Sequence, residues 1–190
     1  MFYDLHFKMG IPYEDLENGV VSHRSIITRL LKHLLDIKSF QHQHWGYLLS
    51  VTSLKWLDDI KAVPNPRDGS VFHVAFTCRC FLPCKGEIME GIVYNVHFLG
   101  VFLRCGPVKI IFLASRKMVG YQYHPGDKPA FMNENLSRIE KGVVVRFMVF
   151  AVKWAEQRND DGVREFMVLA SLEGDLLGPV ALSGTDELDL

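Results

Sequence analysis

The sequence predicts an α+β first half followed by an all-β second half, and three observations support this division. One stretch near the start, residues 22–38, repeats apolar residues at the three- and four-residue spacing of a helix. The segments that follow are rich in aromatic and β-branched residues or alternate apolar with polar positions, which is typical of half-buried strands. From residue 83 onward the chain contains five such segments, separated by connections that contain glycine.

The first half is predicted to contain one helix and two strands. Ser22 is a suitable N-cap for the helix. The apolar face of the helix comprises Ile26, Ile27, Leu30, Leu31, Leu34 and Leu35. Residues 45–57 and 70–81 predict strands, and VPNPRDGS at 63–70 predicts a turn or a long hairpin loop between them. We expect the helix to pack on the small antiparallel sheet that these strands form.

The second half predicts a five-stranded barrel. We expect its strands at 87–96, 101–105, 108–113, 143–154 and 164–172. A long loop with a short helix separates the third strand from the fourth, and RNDDG at 158–162 forms the last hairpin loop. This layout is typical of an OB fold, a partly open barrel that binds oligonucleotides across its second and third strands. Gly100 would let the first strand bend into the second, and would leave room beside the binding face.

The second strand of this barrel carries the candidate binding residues. Its interior positions would be Val101, Leu103 and Cys105. Because side chains two apart on a strand share a face, Phe102 and Arg104 would both point outward. A base could stack on the Phe102 ring, which contributes about 1–3 kcal/mol, while the Arg104 guanidinium meets a phosphate. We expect Phe112, Arg116 and Lys117 to extend this surface. The pattern alone equally allows Phe102 to pack beneath the long loop, with the charges merely solvated.

The sequence indicates neither catalysis nor a bound metal. It contains no nucleophile elbow, P-loop, zinc-protease or dinucleotide-binding motif, so we expect no catalytic residues and no cofactor. The spacing of Cys78, Cys80 and Cys84 differs from the paired spacing of structural zinc sites. His42 and His44 have no evident third ligand. With no apolar run of ~18 residues and no signal peptide, the sequence indicates an intracellular protein with reduced thiols.

Charge and hydropathy both suggest partners. The net charge is -1, but residues 83–170 are mildly basic, which permits a local phosphate-binding face. Residues 181–190 form an acidic tail, which we expect to be disordered or to face a partner. The fourth strand, VVVRFMVFAVKW, is apolar on both faces. One face would line the barrel, and the other requires cover from the first domain or from another subunit.

Several segments resemble the stalk subunits of multisubunit RNA polymerases, the family that contains subunit 7 of RNA polymerase II and its archaeal counterparts. The resemblance covers nearly the whole chain and includes MFY at 1–3, GYLLSVTSL at 46–54, KGEI at 85–88 and GVFLRCGP at 100–107. Two further segments look like the forms found in plant RNA polymerases IV and V, which serve RNA-directed DNA methylation. These are YHPGDKPAFMNENLSRI at 123–139 and ASLEGDLLGP at 170–179.

The resemblance implies a tip domain at 1–82 that has a truncated ribonucleoprotein-like fold and docks on the polymerase core. It implies an OB domain of the ribosomal S-one type at 83–180. It also implies a tight heterodimer with a subunit-4-type partner, contact with RNA leaving the core, and a nuclear location. On this basis we expect a non-catalytic stalk subunit of plant polymerase IV or V, which contacts single-stranded RNA in transcription for gene silencing.

One position differs from the family pattern and motivates a second hypothesis. Members of the family usually carry an aromatic residue just before the bend glycine, whereas here Leu99 takes that place and Phe98 is shifted by one residue. This difference, together with the weak net charge, suggests a structural adaptor. In that case the OB face would recruit another protein rather than RNA.

Overall fold

The computed structural model describes residues 1–11, 23–36, 41–56, 64–65, 69–156 and 164–180. The chain divides into two compact units, Met1–Leu82 and Pro83–Leu190. Most of the described residues lie in β-strands, so the protein is mostly β. Within the described ranges, no helix has the length and hydropathy needed to cross a membrane.

The first unit contains an antiparallel sheet and one described helix. Its elements are β1 (Phe2–Ile11), α1 (His23–Asp36), β2 (Gln41–His42), β3 (Gly46–Trp56), β4 (Pro64–Asn65) and β5 (Gly69–Phe81). β5 lies between β1 and β3, β2 pairs with the outer edge of β3, and β4 pairs with the start of β5. β1 is an addition to the elements predicted from the sequence. Two hydrogen bonds hold the start of β1 against β5. The N-terminal ammonium of Met1 donates to the Cys80 carbonyl oxygen at 3.0 Å, and the Cys80 N–H donates to the Met1 carbonyl oxygen at 2.8 Å.

The core of the first unit joins the helix to the central strand. Leu30 of α1 packs with Val74, Phe76, Cys78 and Cys80 of β5, and all five are buried. The predicted helix is therefore present, although Ser22, its predicted N-cap, lies outside the described residues. Two other apolar positions of the predicted face are exposed, Ile27 and Leu31. In this unit the sheet covers a narrower part of the helix than its apolar pattern predicts.

The cysteine pair at Cys78 and Cys80 lies on the buried face of β5. Their Sγ atoms are 3.4 Å apart and both cysteines are free. Burial, followed by the hydrogen bond with Cys78, raises the pKa of Cys80 to about 12. Because the thiolate is the reactive form, such a thiol is inert near neutral pH and serves as a core residue. No group of three potential metal ligands occurs among the described residues.

The second unit contains a closed barrel of five strands. Its elements are β6 (Ile88–His97), β7 (Gly100–Cys105), β8 (Val108–Ala114), β9 (Gln122–His124), β10 (Ala130–Met132), β11 (Arg138–Ile139), β12 (Val144–Glu156), β13 (Arg164–Ser171) and β14 (Gly178–Pro179). The pairing runs β6, β7, β8, β13, β12 and back to β6, with only the β8–β13 pair parallel. This order is compatible with an OB-like domain, and each barrel strand begins and ends within two residues of its predicted bounds. The predicted hairpin loop at 158–162 and the acidic tail at 181–190 lie outside the described residues.

The excursion between β8 and β12 contains a short helix, as predicted, but also a sheet where only a long loop was expected. It contains one 3₁₀ turn, Ser115–Lys117, and a small antiparallel sheet in the order β11, β10, β9. Phe131 of β10 and Ile139 of β11 are buried, and the Tyr123 and Phe131 rings lie 5.4 Å apart. The excursion is thus an ordered part of the second unit with apolar packing of its own.

Gly100 occupies the bend between β6 and β7, as predicted. Its φ is +150°, and a Cβ atom at this position would overlap the carbonyl oxygen of Leu113 and lie 2.9 Å from the Cα of Ala114. Glycine therefore permits β8 to approach the start of β7 closely. The interior beside this contact is filled by fully buried side chains: Val101, Leu103, Ile111, Leu113, Phe147 and Val149.

The hairpin turn between β10 and β11 contains a strained leucine. Leu136 has a φ of +61° and is 78% exposed, so no packing of its side chain offsets the cost of the left-handed backbone. We expect Leu136→Asn to stabilise the second unit by about 0.5–1 kcal/mol, because asparagine adopts this conformation more readily. Urea denaturation would measure the change. Val119→Asn is the matched control, since Val119 is similarly exposed and has no positive φ. An equal gain in both variants would contradict the role of backbone strain.

Candidate nucleic-acid interface

Three aromatic side chains lie side by side on the outer face of β6, β7 and β8. The Phe102 ring is between Phe112, with centroids 4.9 Å apart, and Tyr94, with centroids 6.1 Å apart. All three residues are half-buried. We call Tyr94, Phe102 and Phe112 the aromatic row. Partly exposed rings that neighbouring rings hold in place are suited to stacking with bases.

The strand register explains how the aromatic row forms. Phe102 and Phe112 are direct partners across the β7–β8 pair. Tyr94 sits at an irregularity in β6, where the register shifts between Val93 and Asn95. Val93 is buried in the barrel, so the regular alternation of β6 places Tyr94 on the outer face, the same side as Phe102. Tyr94 is a site residue that the sequence prediction missed, because alternation within β6 does not show that its ring meets Phe102 on the neighbouring strand.

Arg104 places a positive charge at one end of the row. Its guanidinium carbon lies 4.5 Å from the centroid of the Tyr94 ring, and the residue is exposed. In the described part of the chain Arg104 has no ion-pair partner. The ring holds the guanidinium through a cation–π contact while leaving its N–H donors open to an anion. A phosphate bound to Arg104 would therefore be adjacent to a base stacked on the row.

The side chains of β7 alternate as predicted up to Arg104. Val101 and Leu103 are fully buried, Phe102 is half-buried against the neighbouring rings, and Arg104 is exposed. Cys105, the third predicted interior position, is half-buried. The register shifts between Leu103 and Cys105, so the strand leaves its regular alternation just before its end. Burial is the main cause that raises the pKa of the Cys105 thiol, followed by the nearby Glu87 carboxylate.

Lys117 has contacts different from those expected. Its Nζ atom lies 2.7 Å from a carboxylate oxygen of Glu173 and 4.1 Å from the centroid of the Phe150 ring. The hydrogen bond from Lys117 is also the main reason why the pKa of Glu173 is lowered. Lys117 is thus held by residues on and after β12 and β13, and none of its contacts within the described chain is to the aromatic row. Arg116 lies in the same 3₁₀ turn and is exposed, and it makes no ion pair with any residue that the structure describes.

The loop between β6 and β7 presents one more ring. Phe98 is 57% exposed, and its ring lies 4.3 Å from that of His97. Leu99, the residue just before Gly100, is 56% exposed. An exposed aromatic residue is therefore available at this loop, although it stands one position earlier than the family pattern places it.

The outer face of β12 and β13 is apolar and exposed. The residues Phe150, Met167 and Leu169 are about 40% exposed and form what we call the apolar patch. The opposite side chains of β12, such as Phe147 and Val149, fill the barrel. Leu169 is the register partner of Phe112, so the patch adjoins the aromatic row. Exposed apolar groups on neighbouring strands are typical of a protein-binding surface.

Comparison with known proteins identifies the family. No protein-family model matches the chain. It is 41% identical over 176 residues to DNA-directed RNA polymerase IV subunit 7 of Arabidopsis thaliana, covering 92% of this chain and 96% of the relative. It is 39% identical over 179 residues to the RNA polymerase V subunit 7 of the same plant, covering 93% and 96%. With RNA polymerase II subunit RPB7 of Glycine max the identity is 27% over 158 residues, covering 82% and 83%. Because the similarity spans nearly the full length of these relatives, the chain belongs to the subunit 7 family of DNA-directed RNA polymerases.

Proposed function

We propose that this chain is a non-catalytic stalk subunit of a plant nuclear RNA polymerase, IV or V. It pairs with a subunit-4-type partner and contacts RNA that leaves the polymerase core. The transcription in which it takes part serves RNA-directed DNA methylation and gene silencing. Support for the polymerase type comes from the identities of 41% and 39% with the subunits of polymerases IV and V, against 27% with that of polymerase II.

The aromatic row beside Arg104 is the observation that carries the RNA-binding part of the proposal. Single-stranded RNA is bound without strong sequence preference when bases stack on rings and phosphates meet cations nearby. Tyr94, Phe102 and Phe112 supply the rings, and Arg104 supplies the cation. Phe102 and Phe112 lie on the second and third barrel strands, which form the face that OB folds use for oligonucleotides, and Tyr94 lies beside them on the first strand.

The first unit is proposed to be the tip domain that docks on the core. In this assignment residues 1–82 have the truncated ribonucleoprotein-like fold, and residues 83–180 are the OB domain of the ribosomal S-one type. The exposed apolar residues Ile27 and Leu31 on α1 support docking, because they are one helical turn apart and offer an apolar contact. The apolar patch on the second unit supports a contact with a further protein subunit in the same assembly.

A structural adaptor is the second candidate function. Leu99 replaces the aromatic residue that the family pattern places before Gly100, which removes one stacking position. The apolar patch adjoins the aromatic row through Leu169 and Phe112, so one continuous surface could bind a protein instead. Measurement of RNA binding distinguishes the two functions, because a protein-binding surface gives no salt-dependent affinity for RNA.

Purification from plant nuclei tests the polymerase assignment. We expect the tagged full-length chain to recover the largest subunit of polymerase IV or of polymerase V, together with a subunit-4-type protein, as identified by mass spectrometry. Subunit 7 of polymerase II from the same plant, tagged in the same way, is the control and should recover polymerase II. Recovery of polymerase II alone would contradict the assignment to IV or V. Recovery without any large polymerase subunit would contradict the stalk function altogether.

A further inference from the structure

A groove lies next to the aromatic row on the second unit. Its volume is about 600 Å³, which is within the range of about 300–1,000 Å³ for pockets that hold small ligands. One wall is β6 at residues 94–96, and the other is formed by residues 127–129 before β10 and 140–142 after β11. Tyr94 belongs both to the groove and to the aromatic row. A strand of RNA that stacks on the row would therefore reach the groove without a break.

Hydrogen bonds hold the two walls of the groove together. Gly142 donates its N–H to the Val93 carbonyl at 2.8 Å, and Val93 donates its own N–H to the Val143 carbonyl at 3.0 Å. The second wall lies at both ends of the β10–β11 hairpin, where Arg138 forms an ion pair with Glu140 at 2.9 Å. The groove is therefore formed before any ligand binds, which lowers the entropic cost of binding.

The charges in the groove favour a phosphate-bearing ligand. Two acidic residues line the groove. Glu140 forms an ion pair with Arg138, so Asp127 is the acidic residue that remains. Lys128 and Lys141 are both exposed, and neither has an ion-pair partner within the described residues. Two unpaired ammonium groups on one side of a groove are suited to successive phosphates.

Polar groups among the residues that line the groove suit a nucleobase. The Asn95 amide can donate and accept hydrogen bonds, and the Asp127 carboxylate can accept them from amino groups on a base. The Tyr94 ring and Pro129 add apolar surface beside these groups. Stacking surface, hydrogen-bonding groups and cations thus occur together, as recognition of a single-stranded nucleotide requires.

We propose that this groove binds the nucleotides of single-stranded RNA that follow those stacked on the aromatic row, with Lys128 and Lys141 contacting their phosphates. This inference rests on the proposed RNA-binding function and adds a second segment to the binding path. The path then runs from Phe112 through Phe102 and Tyr94 into the groove. RNA too short to span both segments would occupy the row and leave the groove lysines unused.

The test measures fluorescence anisotropy of labelled oligouridylates of about 4 and about 12 nucleotides, a span typical of OB-fold sites. The full-length chain is used in complex with its subunit-4-type partner. We expect Lys128→Ala/Lys141→Ala to weaken binding of the longer RNA by on the order of tenfold, and to lower its salt slope by about 1.4. The shorter RNA should bind the variant within about twofold of wild type.

A matched control removes the same charge elsewhere on the second unit. Lys85→Ala/Lys153→Ala replaces two exposed lysines that do not line the groove, and should leave the long-RNA affinity nearly unchanged. Equal losses in both double variants, or equal losses for both RNA lengths, would overturn the inference. If Phe102→Ala weakens binding but the groove variant does not, the proposed function stands and the groove is not part of the path. If wild type binds neither RNA, both are overturned.

Discussion

Replacing Gly100 with alanine is expected to lower the free energy of unfolding of the second unit by about 3 kcal/mol or more. The added methyl group would overlap the Leu113 carbonyl oxygen and lie 2.9 Å from the Cα of Ala114. Both are backbone atoms of β8, and Gly100 is paired with Ala114 in the β7–β8 register. The strand cannot move aside without losing ladder hydrogen bonds, and the φ of +150° adds strain for any residue with a Cβ.

Gly120→Ala is the control for the conformational part of this effect. Gly120 also has a positive φ, +81°, but no atom lies within 4 Å of the position that its Cβ would take. Alanine at this position should therefore cost only the left-handed backbone strain, about 1–2 kcal/mol. Urea denaturation of the two variants would separate the cost of the overlap with β8 from the cost of the backbone strain. If Gly100→Ala is no less stable than Gly120→Ala, the close approach of β7 and β8 is not what requires the glycine.

The barrel is largely predictable from the sequence because its strands are long and one of their faces is buried. β12 extends over Val144–Glu156, and its length and its β-branched and aromatic residues predict a strand, although its sequence is apolar on both faces and does not show which side chains are interior. The alternation in β7 predicts that Phe102 and Arg104 are outside and that Leu103 is inside. Gly100 is predictable as well, since a glycine between two apolar strands indicates close backbone approach.

The features that the sequence does not predict depend on contacts between strands and between residues far apart in sequence. The strands of the excursion sheet contain only two or three residues each, which is too short for any period to be detected. Tyr94 faces outward by ordinary alternation, but its place beside Phe102 depends on how β6 pairs with β7. Lys117 is held by Glu173, 56 residues away, so its sequence position after β8 indicates the wrong neighbours. Spacing within one element cannot report such pairings.

The second large expected effect is the loss of RNA affinity when a ring of the aromatic row is removed. Phe102→Ala removes the central ring and should weaken binding of single-stranded RNA by about 1–3 kcal/mol, roughly 5- to 150-fold. Phe102→Leu keeps most of the apolar packing against Phe112 but loses the stacking surface, so it should weaken binding nearly as much. Fluorescence anisotropy with a short oligouridylate would measure both variants. Unfolding curves would establish that each variant is folded.

Arg104 and Lys117 form the matched pair that separates local contact from net charge. Each substitution to alanine removes one positive charge from the second unit. Arg104 lies over the Tyr94 ring without an ion pair in the described chain, whereas Lys117 is bound to Glu173. We therefore expect Arg104→Ala to reduce the salt slope of binding by about 0.7, and Lys117→Ala to change the slope less. Equal effects would mean that RNA responds to overall charge rather than to the row.

The same measurements decide between the two proposed functions. RNA affinity that falls with salt and with the loss of Phe102 requires bases on the rings and phosphates near Arg104. Binding that is absent, or that neither variant changes, would mean that the row and the adjoining apolar patch bind protein instead. The adaptor function would then account for the exposed rings, because apolar side chains such as Phe150 and Leu169 continue the same surface. A stalk that does not bind RNA would contribute to the polymerase through assembly alone.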